Sequence, residues 1–149
     1  MASTLNRFND DRARARRLRE FLHDCAGSAA CEEVDRVREA VLELGGSGIE
    51  GTGTIDVVAV HAMLDCGAVT NAVLELMGGD ACFMLSRGVQ NVCLASVVQN
   101  DGADEALAEG PTLGLALLAA HVSAVLARIE KSGEATEAPM TPPASMRLH

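Results

Sequence analysis

Residues 54–102 read TIDVVAVHAMLDCGAVTNAVLELMGGDACFMLSRGVQNVCLASVVQNDG, and the fold depends on whether their apolar residues are spaced for strands or for helices. Four breaks punctuate this stretch: Asp65-Cys66-Gly67, Gly78-Gly79, Arg87-Gly88 and Asn100-Asp101-Gly102. Between the later breaks lie short apolar runs, Ala72–Met77, Ala81–Ser86 and Val89–Gln99. Short runs between glycine-containing turns predict antiparallel strands. A helix competes with that assignment. Cys82, Leu85, Val89, Val92, Cys93 and Ser96 also share one face of an ideal helix. Gly88 in its middle would cost ~1 kcal/mol relative to Ala. Strands are therefore expected over 72–99. A helix is expected over 54–66, where Val57, Val60, His61 and Leu64 share a face and Thr54 can cap.

Helices flank this stretch on both sides. Leu18, Phe21, Leu22 and Cys25 recur at threes and fours, which predicts a helix over 4–25. Val34, Val37, Val41 and Leu44 form a second helical stripe within 29–44, with a strand over Ala40–Leu44 as the alternative. Residues 45–53, GGSGIEGTG, hold five glycines and predict a loop. The clearest element is 111–131. Pro111 suits a first helical position. Leu115, Leu118, Val122, Val125, Leu126 and Ile129 fall within about 100° of arc. Ala116, Ala119, Ala120, Ala124 and Ala127 lie opposite, so both faces can be covered. Gly133 is expected to end this helix. Three regions follow: a basic N-terminal helix or extension over 1–20, one globular domain over 21–131, and a flexible Pro-containing tail over 132–149. The expected class is α+β, an antiparallel sheet flanked by helices with a long C-terminal helix. An all-α bundle is the alternative if 68–99 are helical.

Composition narrows the function. The 149 residues suit one domain, and 48% are apolar, so the main body is not disordered. Trp and Tyr are absent and Phe occurs three times, which argues against stacking of bases or sugars on rings. The net charge is −9. Residues 1–20 hold six of the twelve basic residues and three of the twenty-one acids, for +3, and the rest of the chain carries −12. That balance argues against nucleic acid as a partner. The start, MASTLNRFNDDRARARR, is too polar for a signal peptide, and Leu113–Leu126 is too short to span a bilayer. A cytoplasmic protein without a membrane partner is expected. Eleven Arg against one Lys suggests a bacterial, GC-rich coding genome. Five cysteines at irregular spacings argue against a disulfide scaffold and are expected to serve as small apolar core residues.

Few residues group as chemistry requires. Gly46, Gly48 and Gly51 match a dinucleotide pattern, but Glu50 would repel phosphate and Thr52 stands where a phosphate loop needs lysine. His61 with Cys66, and Cys82 with Cys93, lack zinc-ligand spacing. His121, at the edge of an apolar arc, is expected to be hydrogen-bonded or solvent-facing. Glu32, Glu33, Asp35, Glu39 and Glu43 are expected to form a solvated face. No catalytic residue, cofactor or metal site is therefore expected. Arg12, Arg14, Arg16, Arg17 and Arg19 remain: five arginines in eight residues, which either fold onto the acidic body or dock an acidic partner. The small face formed by Ala116, Ala120 and Ala124 is the second candidate partner surface.

From 15 to 131 the order of elements resembles the Roadblock / dynein light-chain family, with ACFMLSRGVQNVCLASVVQ (81–99), a loop, and a helix start at Thr112-Leu113-Gly114-Leu115. Residues 29–39, which include CEEVDRVRE, are more charged than that family's first strand. The resemblance implies a profilin- or longin-like layout and a homodimer. It also implies no catalytic residues and regulation of a partner such as a small Ras-like GTPase. The expected function is a non-enzymatic, dimeric regulatory interaction module. One alternative is an acidic adaptor resembling the type III secretion chaperones, whose partner is a secreted substrate. The other is a small ligand sensor or enzyme using His61, His121 or a cysteine.

Overall fold

The computed structural model describes residues 2–45, 54–99 and 104–137. Helix α1 (Ala2–Ala26) leads through a single 3-10 turn (Ala30–Glu32) into α2 (Glu33–Gly45). The pair α3 (Val57–Asp65) and α4 (Val69–Met77) follows. Then come β1 (Ala81–Arg87), β2 (Cys93–Gln99), β3 (Ala106–Gly110) and α5 (Leu113–Glu137). The strands form one antiparallel sheet in the order β1-β2-β3. The class is α+β, as expected, and the all-α alternative does not hold.

Helix α5 is the centre of the molecule. It lies on β2 and β3 on one side and against α1, α4 and α2 on the other. Leu115, Leu117, Leu118, Val122 and Val125 are fully buried, and so are Ala116 and Ala120. A helix that is apolar all round is one with no solvent side. The stretch Leu113–Ala135, which contains an 18-residue window of mean hydropathy 1.6, is long and apolar enough to cross a membrane, yet here the protein's own elements cover most of that window. The helix runs through Gly133 to Glu137, four residues beyond the expected stop. Its start is also later than expected. Thr112, not Pro111, caps it: the Thr112 hydroxyl accepts from the Leu115 amide at 3.0 Å.

The local signals explain most elements. Asp56, rather than Thr54, caps α3 by accepting from the Ala59 amide at 3.0 Å. Gly67, at φ +76°, takes the left-handed conformation that turns the chain from α3 into α4. Residues 72–77 are helical, against the expected strand. Val69, Ala72, Val73, Leu76 and Met77 recur at helical spacing, and all but Val69 are buried in α4. A short apolar run fits both periods, and packing against α3 and α5 selected the helix. Ala40–Leu44 is likewise helical, because Val37, Ala40, Val41 and Leu44 turn to the core.

Strands β1 and β2 form a seven-residue ladder from Ala81↔Gln99 to Arg87↔Cys93. Residues 89–91, expected as the start of β2, belong instead to the turn. Gly88 donates to the Val92 carbonyl at 2.8 Å, while Gln90 and Asn91 take positive φ. Strand β3 was not legible in the sequence. ALAEG has no β-branched residue, and its pairing with β2, Ala95↔Ala108 at its middle, makes it a strand. The inner face of β2 (Cys93, Ala95, Val97, Gln99) is buried. A Cβ on Gly110 would lie 2.9 Å from the Ala116 amide nitrogen, so glycine is what lets α5 approach β3.

Candidate interaction surfaces

The five N-terminal arginines separate by direction. Arg17 pairs with Glu43 of α2 at 3.2 Å. Arg19 grips Glu130 of α5 through Nε at 3.1 Å and Nη2 at 2.5 Å. Arg14 donates to the Leu44 carbonyl at 3.4 Å. These three hold α1 to the body, and burial lowers the Arg14 pKa below the usual arginine value. Ala15 and Leu18 on the same helix sit in the core with Phe21 and Cys25, so α1 passes residue 20 without a break in packing. Arg12 and Arg16 point outward. Arg12 lies 5.5 Å from the centroid of the Phe8 ring, and both arginines are exposed.

The small face of α5 is not a partner surface. Ala116 and Ala120 have no accessible area and Ala124 has 7%. The chain itself fills both sides of this helix, so the second cover foreseen from its two apolar faces is α1, α2 and α4 rather than another molecule. Only Ala127 of that set is exposed.

The carboxylate array is largely engaged. Glu32 accepts from the Ala29 amide at 2.6 Å, Glu39 pairs with Arg36 at 2.6 Å, and Glu43 holds Arg17. Glu33 accepts from the Thr112 hydroxyl at the start of α5, where a carboxylate is favoured by the helix dipole. Gly114 leaves room for it, since a Cβ there would sit 2.8 Å from Glu33 Oε2. Of the expected solvated face, Glu43 and Glu33 thus join α2 to α1 and to the start of α5, Glu32 and Glu39 bond within their own segment, and Asp35 is exposed.

His61 and His121 sit in different settings. Arg38 donates to Nδ1 of His61 at 3.0 Å and to Asp65 at 2.9 Å, tying α2 to α3. His121 is 2% exposed, and its Nδ1 has no hydrogen-bond partner. It is neither solvent-facing nor, at that nitrogen, hydrogen-bonded, contrary to expectation. Burial, with a contribution from Arg128, lowers its pKa to about 4. It therefore stays neutral at physiological pH. Cys25 and Cys93 are core residues, and burial pushes the Cys25 thiol up to about 12. Cys31, Cys66 and Cys82 are exposed, so the idea that all five cysteines fill the core fails for three. Gly46, Gly48 and Gly51 lie outside the described residues. Among the described residues, no three His, Cys, Asp or Glu side chains group as metal ligands.

The surface that sequence reasoning missed is on the sheet. On its outer face Met84 is 74% and Leu107 62% exposed, with Leu94 and Val98 also open. Ser96 lies buried between Met84 and Leu107, its partners in the ladder. On the inner face Phe83 of β1 reaches past the cover of α5 and is exposed. The tip of the β1–β2 turn adds Val89 and Val92. No alternation of period two was available to mark it, because both faces of β1 carry apolar residues and 88–92 form a turn. Among known proteins, no family model, no curated protein and no solved structure matches this chain.

Proposed function

We propose that this chain is a non-enzymatic interaction module that works as a homodimer joined along β1. The supporting observation is the state of that strand. β1 is a seven-residue edge with no Pro and no Gly, and its one charge, Arg87, is at its end. An edge of this kind presents unpaired amides and carbonyls to any matching strand. The matching strand can be a second β1. Antiparallel pairing centred on Met84 sets Cys82 against Ser86 of the other copy. It also sets Arg87 against Ala81, one residue from Asp80, so opposite charges meet at both ends. The product is a continuous six-stranded sheet whose outer face carries Met84, Leu94, Val98 and Leu107 beside Ser86, Ser96 and Glu109.

The regulatory part of this reading is Roadblock-like. It is supported by the order of α3, α4, β1, β2, β3 and α5, in which an antiparallel meander is followed by a long helix. It departs at α2, a helix where that family has its first hairpin. On this reading the dimer acts in the cytoplasm on a protein partner such as a small Ras-like GTPase. Light scattering coupled to size exclusion is the test. The expected mass is twice the chain's 15.5 kDa. A monomer at micromolar concentration sinks the proposal.

A further inference from the structure

Helix α1 exposes a stripe that the fold does not use. Asn9, Arg12, Ala13, Arg16 and Arg19 line one shallow groove of about 440 Å³. Their numbers recur at threes and fours, so they run along one face of the helix. Arg19 is committed to Glu130, while Arg12 and Arg16 face solvent a single turn apart. Among the described residues, Arg16 makes no ion pair or hydrogen bond, with Glu20 or any other group. Arg12 is pre-organised over the Phe8 ring by a cation–π contact. Ala13 lines the same groove with a small side chain. Like charges one turn apart on a helix repel, and among the described residues neither guanidinium has a carboxylate within ion-pair reach, although Asp11, Glu130 and Glu134 border the groove on Arg12's other side.

We infer that Arg12 and Arg16, with Asn9, dock an acidic segment of a partner protein. Carboxylates at positions i and i+4 of a helix repeat at ~6 Å, the same interval as the two arginines. A lipid surface fits less well. A membrane-lying helix needs an apolar face free for the bilayer, and α1 has already spent Ala15, Leu18, Phe21 and Cys25 on the core. A nucleic acid fits less well too, since its backbone continues past the two arginines onto a body of charge −12, whereas a short acidic segment ends at the stripe. This inference rests on the interaction-module reading and names the chemistry of the partner.

The test is a titration of the full chain, at low salt, into a fluorescein-labelled helical peptide with Glu pairs four residues apart. Inorganic triphosphate and phosphatidylglycerol vesicles are run in parallel. Saturable binding of the peptide is expected. Arg12→Gln with Arg16→Gln should weaken it about tenfold, and Arg16→Gln alone about threefold. Lys131→Gln, which removes an exposed charge elsewhere, should leave it unchanged. Equal binding by the double variant and the unmodified chain overturns the proposal. So does equal weakening by Lys131→Gln, or binding of triphosphate or vesicles without the peptide. Circular dichroism checks that each variant folds, and Arg16→Gln, which removes no contact within the chain, carries the test if the double variant does not. Mass is measured on the same samples. Loss of the dimer with intact peptide binding sinks the β1 pairing alone, and the reverse sinks the stripe alone.

Discussion

The two edges of the sheet are built differently. β1 is seven residues long, uncharged until Arg87, and open on both faces at Phe83 and Met84. β3 is five residues long, preceded by Asp104 and Glu105, and carries Glu109. Helix α5 lies over β3 with backbone nearly touching at Gly110, and Leu22 and Ala26 of α1 flank the groove beside it. Acidic side chains on an edge discourage a second edge from pairing with it, because like charges would face each other. β3 is therefore a guarded edge anchored to the core, and β1 is an unguarded edge held chiefly by β2 and more lightly by α5. The contrast shows where this protein tolerates a partner strand and where it does not.

Five changes would break or sharpen that contrast. The largest effect is expected from Met84→Lys, which puts two positive charges face to face in the proposed pairing. The dimer should fall to a chain-mass species, with thermal stability of the fold altered by less than ~0.5 kcal/mol. Leu107→Lys on β3 should leave the mass unchanged. If both variants behave alike in light scattering, the two edges are equivalent and the comparison fails.

Acid should act on the anchored side. His121 is neutral when folded, with a pKa of about 4, and takes a proton near 6.5 when unfolded. Its folded pKa is depressed, so the stability it permits is complete above pH 6.5 and is lost as pH falls from 6.5 through 4. The loss is about 3 kcal/mol across that window. His121→Leu should flatten this part of the profile, measured by urea unfolding between pH 4 and 7. An unchanged slope would show that His121 is not what α5 loses in acid.

Gly110→Val drives a side chain into the backbone of α5. It should cost about 2–3 kcal/mol and raise amide exchange in β3 before β1. Protection lost first in β1 would reverse the assignment of the anchored edge. Thr112→Ala has the smallest expected effect. Removing the cap of α5 and the partner of Glu33 should cost ~1 kcal/mol in thermal unfolding, with no change in mass.

How much was legible depended on whether a local pattern admitted one period or two. The helices α1, α3 and α5 were readable, because Leu18, Phe21 and Cys25, then Val60 and Leu64, then Leu115, Leu118, Val122 and Val125 fit only the helical spacing. AVLELM at 72–77 fits both periods, and its helix came from packing against α3 and α5. ALAEG at 106–110 has no strand signal of its own and exists because β2 offered it a ladder. The candidate site was legible in part. The arginines stood out as a charge cluster, yet their direction did not, since a sequence does not show that Glu43 and Glu130 lie within reach of Arg17 and Arg19. The alanines of α5 were misplaced for a related reason. A face of small residues signals close packing without saying whether the neighbour belongs to the same chain.

The sequence alone determined a long apolar helix and positive charge gathered on the first helix, and it favoured α+β over an all-α bundle. Those properties follow from periodicity and composition, which are local. Only the tertiary structure decided which arginines stay outward, that the first half of α5 is covered on both sides by its own chain, and that one sheet edge is guarded while the other is not. Each of these depends on distances between residues far apart in the chain, and no local pattern encodes such a distance.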